Sequence, residues 1–218
     1  MKLLLTSAGI SNDSIKKSFF DLVGKKPEDI SLAFIPTASN VEKGDKKDWF
    51  IKDLIVLKNL NLKSISIVDI SAIERNIWEP QLKEADVLYF EGGNTFHLME
   101  WMNKSGLGEI LPELLKTKVY VGVSAGSMIL SPDLLLNTLQ KLYKEDLEKT
   151  ENINGINLVN FYILPHLKNE HPVRNKENIL EAIKDIKNKV YVLDDNSAIE
   201  VVDGIIKIIS EGEFLEIN

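Results

Sequence analysis

Cysteine is absent from the chain, which excludes disulfides, thiolate metal sites and a cysteine nucleophile together. Histidine is scarce, with three residues, and this leaves little from which to build a metal centre. Neither a metal nor an organic cofactor is expected. Long apolar runs are missing as well: Leu3-Leu4-Leu5 and Val119 to Val123 fall far short of the roughly 20 residues that a membrane-spanning helix needs. Near the amino terminus a short apolar run gives way to Ser11, Asn12 and Asp13, without the apolar core of a secretion signal. A cytoplasmic protein is therefore expected, with no membrane as partner. Basic blocks are lacking too, since 26 Lys and Arg stand against 33 Asp and Glu for a net charge of -7. Nothing here offers a footprint for a phosphate backbone, so nucleic acid is not an expected partner.

What is present reads as one ordinary globular unit. The 218 residues, 44% hydrophobic and 27% charged, suit a single domain over residues 1–218 with a substantial core. Short apolar runs at Lys2 to Ser7, Ile30 to Ile35, Ile65 to Ile70, Asp86 to Phe90 and Val119 to Val123 read as strands. Between them lie helical spacings, such as Ile15, Phe19, Leu22 and Val23 behind a cap at Asn12 or Asp13, or Phe50, Leu54 and Leu57. Strands alternating with helices predict an α/β fold with a mostly parallel sheet and helices on both faces, because parallel neighbours need crossovers. Asn160 to Leu164 and Val190 to Leu193 predict two further strands flanking a helix through Ile179, Ala182, Ile183 and Ile186. The C-terminal part changes character: Ala198 to Val202, Asp203-Gly204 and Ile205 to Ile209 predict a β-hairpin, and one more strand can follow Glu211-Gly212.

The chemistry concentrates in a few segments. Gly122-Val123-Ser124-Ala125-Gly126 has the G-x-S-x-G form between a predicted strand and a helix start at Met128 to Leu130. Such a turn strains the serine and exposes its hydroxyl, and the Ala125 amide is free to stabilise an oxyanion. The plain alternative is a tight turn of small residues. Glu91-Gly92-Gly93-Asn94-Thr95 follows the fourth strand at the sheet edge where such folds collect ligands. Its glycine amides suit a second oxyanion donor, and Asn94 or Thr95 suits a helix cap. As base for Ser124, His166 stands out because it follows the strand Phe161 to Leu164 and Pro165; His171 is the rival, and His97 reads as a helix residue. For the acid, Asp194 and Asp195 end a strand that sends neighbouring side chains to opposite faces, so one of the two faces the histidine. Asp133 is a further option, and Glu91 and Glu200 are possible polar neighbours.

These segments, with Phe34-Ile35-Pro36-Thr37-Ala38 and Leu193-Asp194-Asp195-Asn196, resemble in order and kind the aspartyl dipeptidase and cyanophycinase family of serine peptidases. The fold of that family is similar to class I glutamine amidotransferases. The resemblance implies Ser124 as nucleophile, His166 as base, Asp195 as acid, and the amides of Gly93 and Ala125 as oxyanion donors. Many relatives have glutamate where this chain has Asp195, and the shorter arm leaves Asp194 and Asp133 as alternatives. The order Ser, His, acid differs from that of the α/β-hydrolases. The implied substrate is a small peptide, in the family's pattern a dipeptide with amino-terminal aspartate. Asn94 and Arg174 are the substrate-binding candidates, Arg174 because a carboxylate calls for a cation and the chain has two arginines. An esterase or amidase on the same site, and a non-catalytic protein whose serine turn cradles a small ligand, are the rival readings.

Overall fold

Leu3, Leu4 and Leu5 are fully buried, each contributing about 1.5–3 kcal/mol relative to exposure, because their strand lies inside the sheet. The computed structural model describes residues 1–43, 47–145, 154–168 and 170–218. Its elements begin β1 (Lys2–Thr6), α1 (Asp13–Val23), β2 (Ser31–Ile35), α2 (Asp48–Asn59), β3 (Ser64–Ile67), α3 (Arg75–Glu84) and β4 (Val87–Phe90). They continue α4 (Thr95–Lys104), α5 (Leu107–Leu114), β5 (Val119–Val123), α6 (Ala125–Met128), α7 (Leu136–Tyr143) and β6 (Tyr162–Leu164). Last come α8 (Lys176–Ile183), β7 (Val190–Leu193), β8 (Ser197–Val202), β9 (Ile205–Ser210) and β10 (Phe214–Ile217).

The main sheet has seven strands in the order β3-β2-β4-β5-β1-β8-β9. Its first five are mutually parallel, and β8 and β9 add antiparallel pairs at one side. Alternation along each strand splits the core in two. Leu3, Leu5, Ala33, Ile35, Leu88 and Phe90 join α3, α4 and α5 on one face; Leu4, Leu32, Phe34, Val87 and Tyr89 join α1 and α2 on the other. Asn12 caps α1, its side-chain oxygen accepting the Ile15 N–H at 2.9 Å. The β8–β9 hairpin turns at Asp203 and Gly204 with φ of 50° and 85°, the double positive φ of a type I′ turn.

The strand after Gly212 does not extend this hairpin. β10 instead pairs antiparallel with β7, which pairs parallel with β6, in a separate three-stranded sheet. One face of that sheet contributes Ile163, Tyr191 and Leu193 to the first core. The other packs Tyr162, Leu164, Val190 and Val192 on α7 and α8. Among the described residues, no helix is long and apolar enough to cross a membrane.

Candidate active site

The strand β5 runs out at Val123, and the chain reverses into α6 through one residue. Ser124 has φ 46° and ψ -106°, a conformation that a side chain strongly disfavours and that persists only when its surroundings impose it. Thr6, at the end of β1, supplies much of that constraint. Its carbonyl accepts the Ser124 N–H at 3.0 Å and the Ser127 hydroxyl at 2.9 Å, and its hydroxyl donates to the Gly122 carbonyl at 2.9 Å. The Ser124 carbonyl in turn accepts the N–H groups of Ser127 and Met128 at 2.9 and 3.0 Å. Gly126 is required because a Cβ there would collide with the Phe90 carbonyl of the neighbouring strand. Ala125 is the first residue of α6, so its N–H has no partner within the helix.

The small sheet delivers the other groups. His166 follows β6 with φ 62°, and its backbone N–H donates to the Ser7 hydroxyl at 2.8 Å. Ser7 Oγ donates onward to Asp195 Oδ1 at 3.2 Å. The His166 ring lies with Nε2 3.0 Å from Ser124 Oγ and Nδ1 2.6 Å from Asp195 Oδ1. With the proton on Nδ1 facing the carboxylate, Nε2 is left to accept from the serine. The hydrogen bond from His166 holds the Asp195 carboxyl below the usual carboxylate range, outweighing its partial burial, with help from Ser7 and the Arg174 charge. The remaining candidates hold other partners. Asp194 accepts from Asn196 N, Ser197 Oγ and Glu213 N at 3.0, 2.6 and 2.7 Å. Asp133 accepts from Leu135 N and Tyr162 Oη at 2.9 and 2.7 Å. His171 Nδ1 accepts the N–H groups of Val173 and Arg174 at 3.1 and 3.0 Å, His97 packs edge-on near Trp101, and Glu200 accepts from Ser18 Oγ at 2.6 Å.

Ser124, His166 and Asp195 open onto a cleft of about 680 Å³ that Gly92, Gly93 and Arg174 also line. Asn94 departs from expectation: it does not line this cleft, and its side-chain oxygen caps α4 by accepting the His97 N–H at 2.8 Å. The turn geometry that suggested ligand contact is spent on the helix end. Several cleft residues had escaped the sequence reading. Ser7 lies just beyond the carboxyl end of β1, where ligands gather in such sheets, and that position was its one available signal. Asp53 comes from α2, whose pattern announces only a solvated face, and Glu145 lies just past the end of α7.

Asp53 faces Glu91 in the cleft wall, and the two behave as one acid pair. Burial lifts Asp53 to about 6, against the opposing pull of its hydrogen bond with Glu91 and the Lys52 charge. Burial, and then the Asp53 charge, push Glu91 well above the usual carboxylate range, so the pair holds a proton between its two carboxyl groups. A stability effect follows. Between the ordinary 3.8 and about 6, the folded state holds a proton that the unfolded chain has released, so stability falls as pH rises through this window. The wild-type melting temperature is expected to drop relative to that of Asp53→Asn between about pH 4 and 7, by an amount corresponding to on the order of 2 kcal/mol. A pH-independent difference in thermal melts of the two proteins would refute the shift.

The chain matches the model of peptidase family S51 over residues 3–209. An uncharacterized peptidase of Listeria monocytogenes serovar 1/2a (strain ATCC BAA-679 / EGD-e) is 30% identical over 176 residues, 78% of this chain and 80% of its own. One of Pasteurella multocida (strain Pm70) is 28% identical over 172 residues, 75% of this chain and 77% of its own. The crystal structure of a Listeria monocytogenes EGD-e protein named after peptidase E superposes with a TM-score of 0.79 at 26% identity, covering 97% of this chain and 98% of that one.

Proposed function

The chain belongs to peptidase family S51 and is a serine-type peptidase, and from that premise we propose that it cleaves small peptides with Ser124 as nucleophile, His166 as base and Asp195 as acid. The observation that carries this reading is the unbroken hydrogen-bonded line from Ser124 Oγ through the His166 ring to Asp195. As Ser124 Oγ bonds to the scissile carbonyl carbon, its proton passes to His166 Nε2, and the Asp195 charge stabilises the imidazolium. The amides of Gly93 and Ala125 receive the negative charge on the carbonyl oxygen. His166 then protonates the amide nitrogen, the C–N bond breaks and the amine leaves. Water attacks the acyl-serine, giving its proton to His166, and Ser124 recovers its hydrogen as the acid departs. Arg174, in the same cleft, is the proposed partner for an aspartate side chain at the amino terminus of a dipeptide.

Mass spectrometry after treatment with a fluorophosphonate probe tests the reading. A single adduct on Ser124, lost in His166→Ala, is expected; an unlabelled wild type would sink it. The acid has its own test. Asp195→Asn is expected to lower kcat by about 10⁴-fold, because the amide favours the wrong imidazole tautomer. Asp194→Asn and Asp133→Asn should leave chemistry nearer wild type and act on stability. Equal losses in kcat for all three would remove Asp195 from its assigned role.

A further inference from the structure

The acyl-transfer steps leave one pair of charged groups in the cleft unused. Glu91 is fully buried, its Oε1 accepts the Gly92 N–H at 2.9 Å, and its Oε2 meets no donor among the described residues. The group it faces is another carboxylate, Asp53, with which it is in hydrogen-bonding contact. A proton held between the two gives Glu91 Oε2 a hydrogen bond to Asp53 but leaves the pair with net negative charge in a buried wall, which is costly without a cation. Behind them the wall is closed: a Cβ added to Gly9 would come within 2.8 Å of both Asp53 Oδ2 and Tyr89 Oη. In front lies the cleft, which both acids line. Trp49, one turn before Asp53 on α2, lines the same wall and brings an aromatic surface beside the charge. Glu42 and Glu145 add to the acidic character of the lining, to which Lys52 and Arg174 contribute positive charge.

We propose that Asp53 and Glu91 form a subsite for an ammonium group of the substrate. This deepens the peptidase reading and rests on it. An ammonium brings charged N–H donors to the carboxylate oxygens, meets the pair's net negative charge, and gains from an adjacent aromatic ring. The location suits the acyl half of a peptide: a Cβ on Gly92, the residue after Glu91, would lie 3.3 Å from Ser124 Cβ, so the pair adjoins the nucleophile. A peptide's α-nitrogen is two bonds from the carbonyl carbon that Ser124 attacks. With Arg174 in the same cleft, the two ends of an amino-terminal residue with an acidic side chain would each meet opposite charge.

Binding to the Ser124→Ala protein, measured by calorimetry, separates the subsite from catalysis. L-Alaninamide is expected to bind about tenfold or more tightly than N-acetyl-L-alaninamide. That preference should vanish in Asp53→Asn and weaken in Glu91→Gln, while the affinity for the acetylated compound, as a control on folding, moves less than about twofold. N-acetyl-L-lysinamide against N-acetyl-L-norleucinamide distinguishes a side-chain ammonium from an amino terminus; a preference for the amine in either pair that depends on Asp53 supports the subsite. No preference in either pair, no binding of any amine at millimolar concentration, or a preference that survives Asp53→Asn overturns it. Fluorophosphonate labelling of the wild type reports on the serine independently, so the two readings fail separately.

Discussion

Ser124→Gly is expected to abolish peptide hydrolysis while raising the melting temperature. Loss of the nucleophile should lower kcat by about 10⁶-fold, the scale seen when a triad serine is removed and only binding and oxyanion donors remain. Stability should move the other way. At φ 46° and ψ -106° the serine side chain is held in a conformation that costs about 1–3 kcal/mol and that glycine occupies freely. Glycine's greater freedom in the unfolded chain takes back part of this. A net gain of about 1 kcal/mol remains, equivalent to about 2–4 °C for a chain of this size. Thermal melts of wild type, Ser124→Ala and Ser124→Gly check the sign: alanine keeps the strain, so the gain should be specific to glycine. A glycine variant that melts below the alanine variant would mean the turn is relaxed, and the tight attachment to Thr6 would then need another explanation.

Gly93→Ala should be the most damaging change that leaves every catalytic side chain in place. The residue has φ 132°, and a Cβ there would overlap the carbonyl of Ala38 and stand 2.7 Å from the Ser39 nitrogen. Neither neighbour yields easily, since the Ala38 carbonyl accepts the Asn94 N–H at 2.9 Å and so pins the loop that leads into α4. The main chain at Gly93 must move, and the amide proposed for the oxyanion moves with it. A fall in kcat of about 10²–10³-fold is expected, the scale for losing one oxyanion donor, with a stability loss of about 3 kcal/mol in denaturant titration. Wild-type kcat in a folded Gly93→Ala protein would take this amide out of the mechanism.

Much of this arrangement was legible in the sequence because it is encoded locally. Alternating runs marked β1, β2, β4 and β5, Asp203-Gly204 marked the hairpin, and the placement of Gly122 to Gly126 between strand and helix marked the turn at Ser124. His166 was recognisable from Pro165 and the strand before it. Pairing at long range was not legible. Nothing in Phe214 to Ile217 tells whether they extend the hairpin or join β7, since both leave apolar residues on one face of a strand. Strand alternation alone left Asp194 and Asp195 open and only the family resemblance favoured Asp195; the physical reason lies in Ser197 and Glu213, which occupy Asp194. Asn94 was ambiguous for a physical reason: a side chain that caps a helix and one that meets a ligand sit at the same kind of turn. Asp53 and Glu91 are 38 positions apart on different elements, and no spacing rule joins a helix residue to a strand end.

The division of the site between two sheets has a consequence for biosynthesis. A ribosome delivers Ser124 and all five parallel strands of the main sheet well before His166 and Asp195, which hang on β6 and β7 and are braced by β10 further along the chain. A nascent polypeptide can therefore complete the turn at Ser124 before either of the partners proposed for that serine exists. On the proposed mechanism, Ser124 gains its base and its acid only once β6 and β7 have formed.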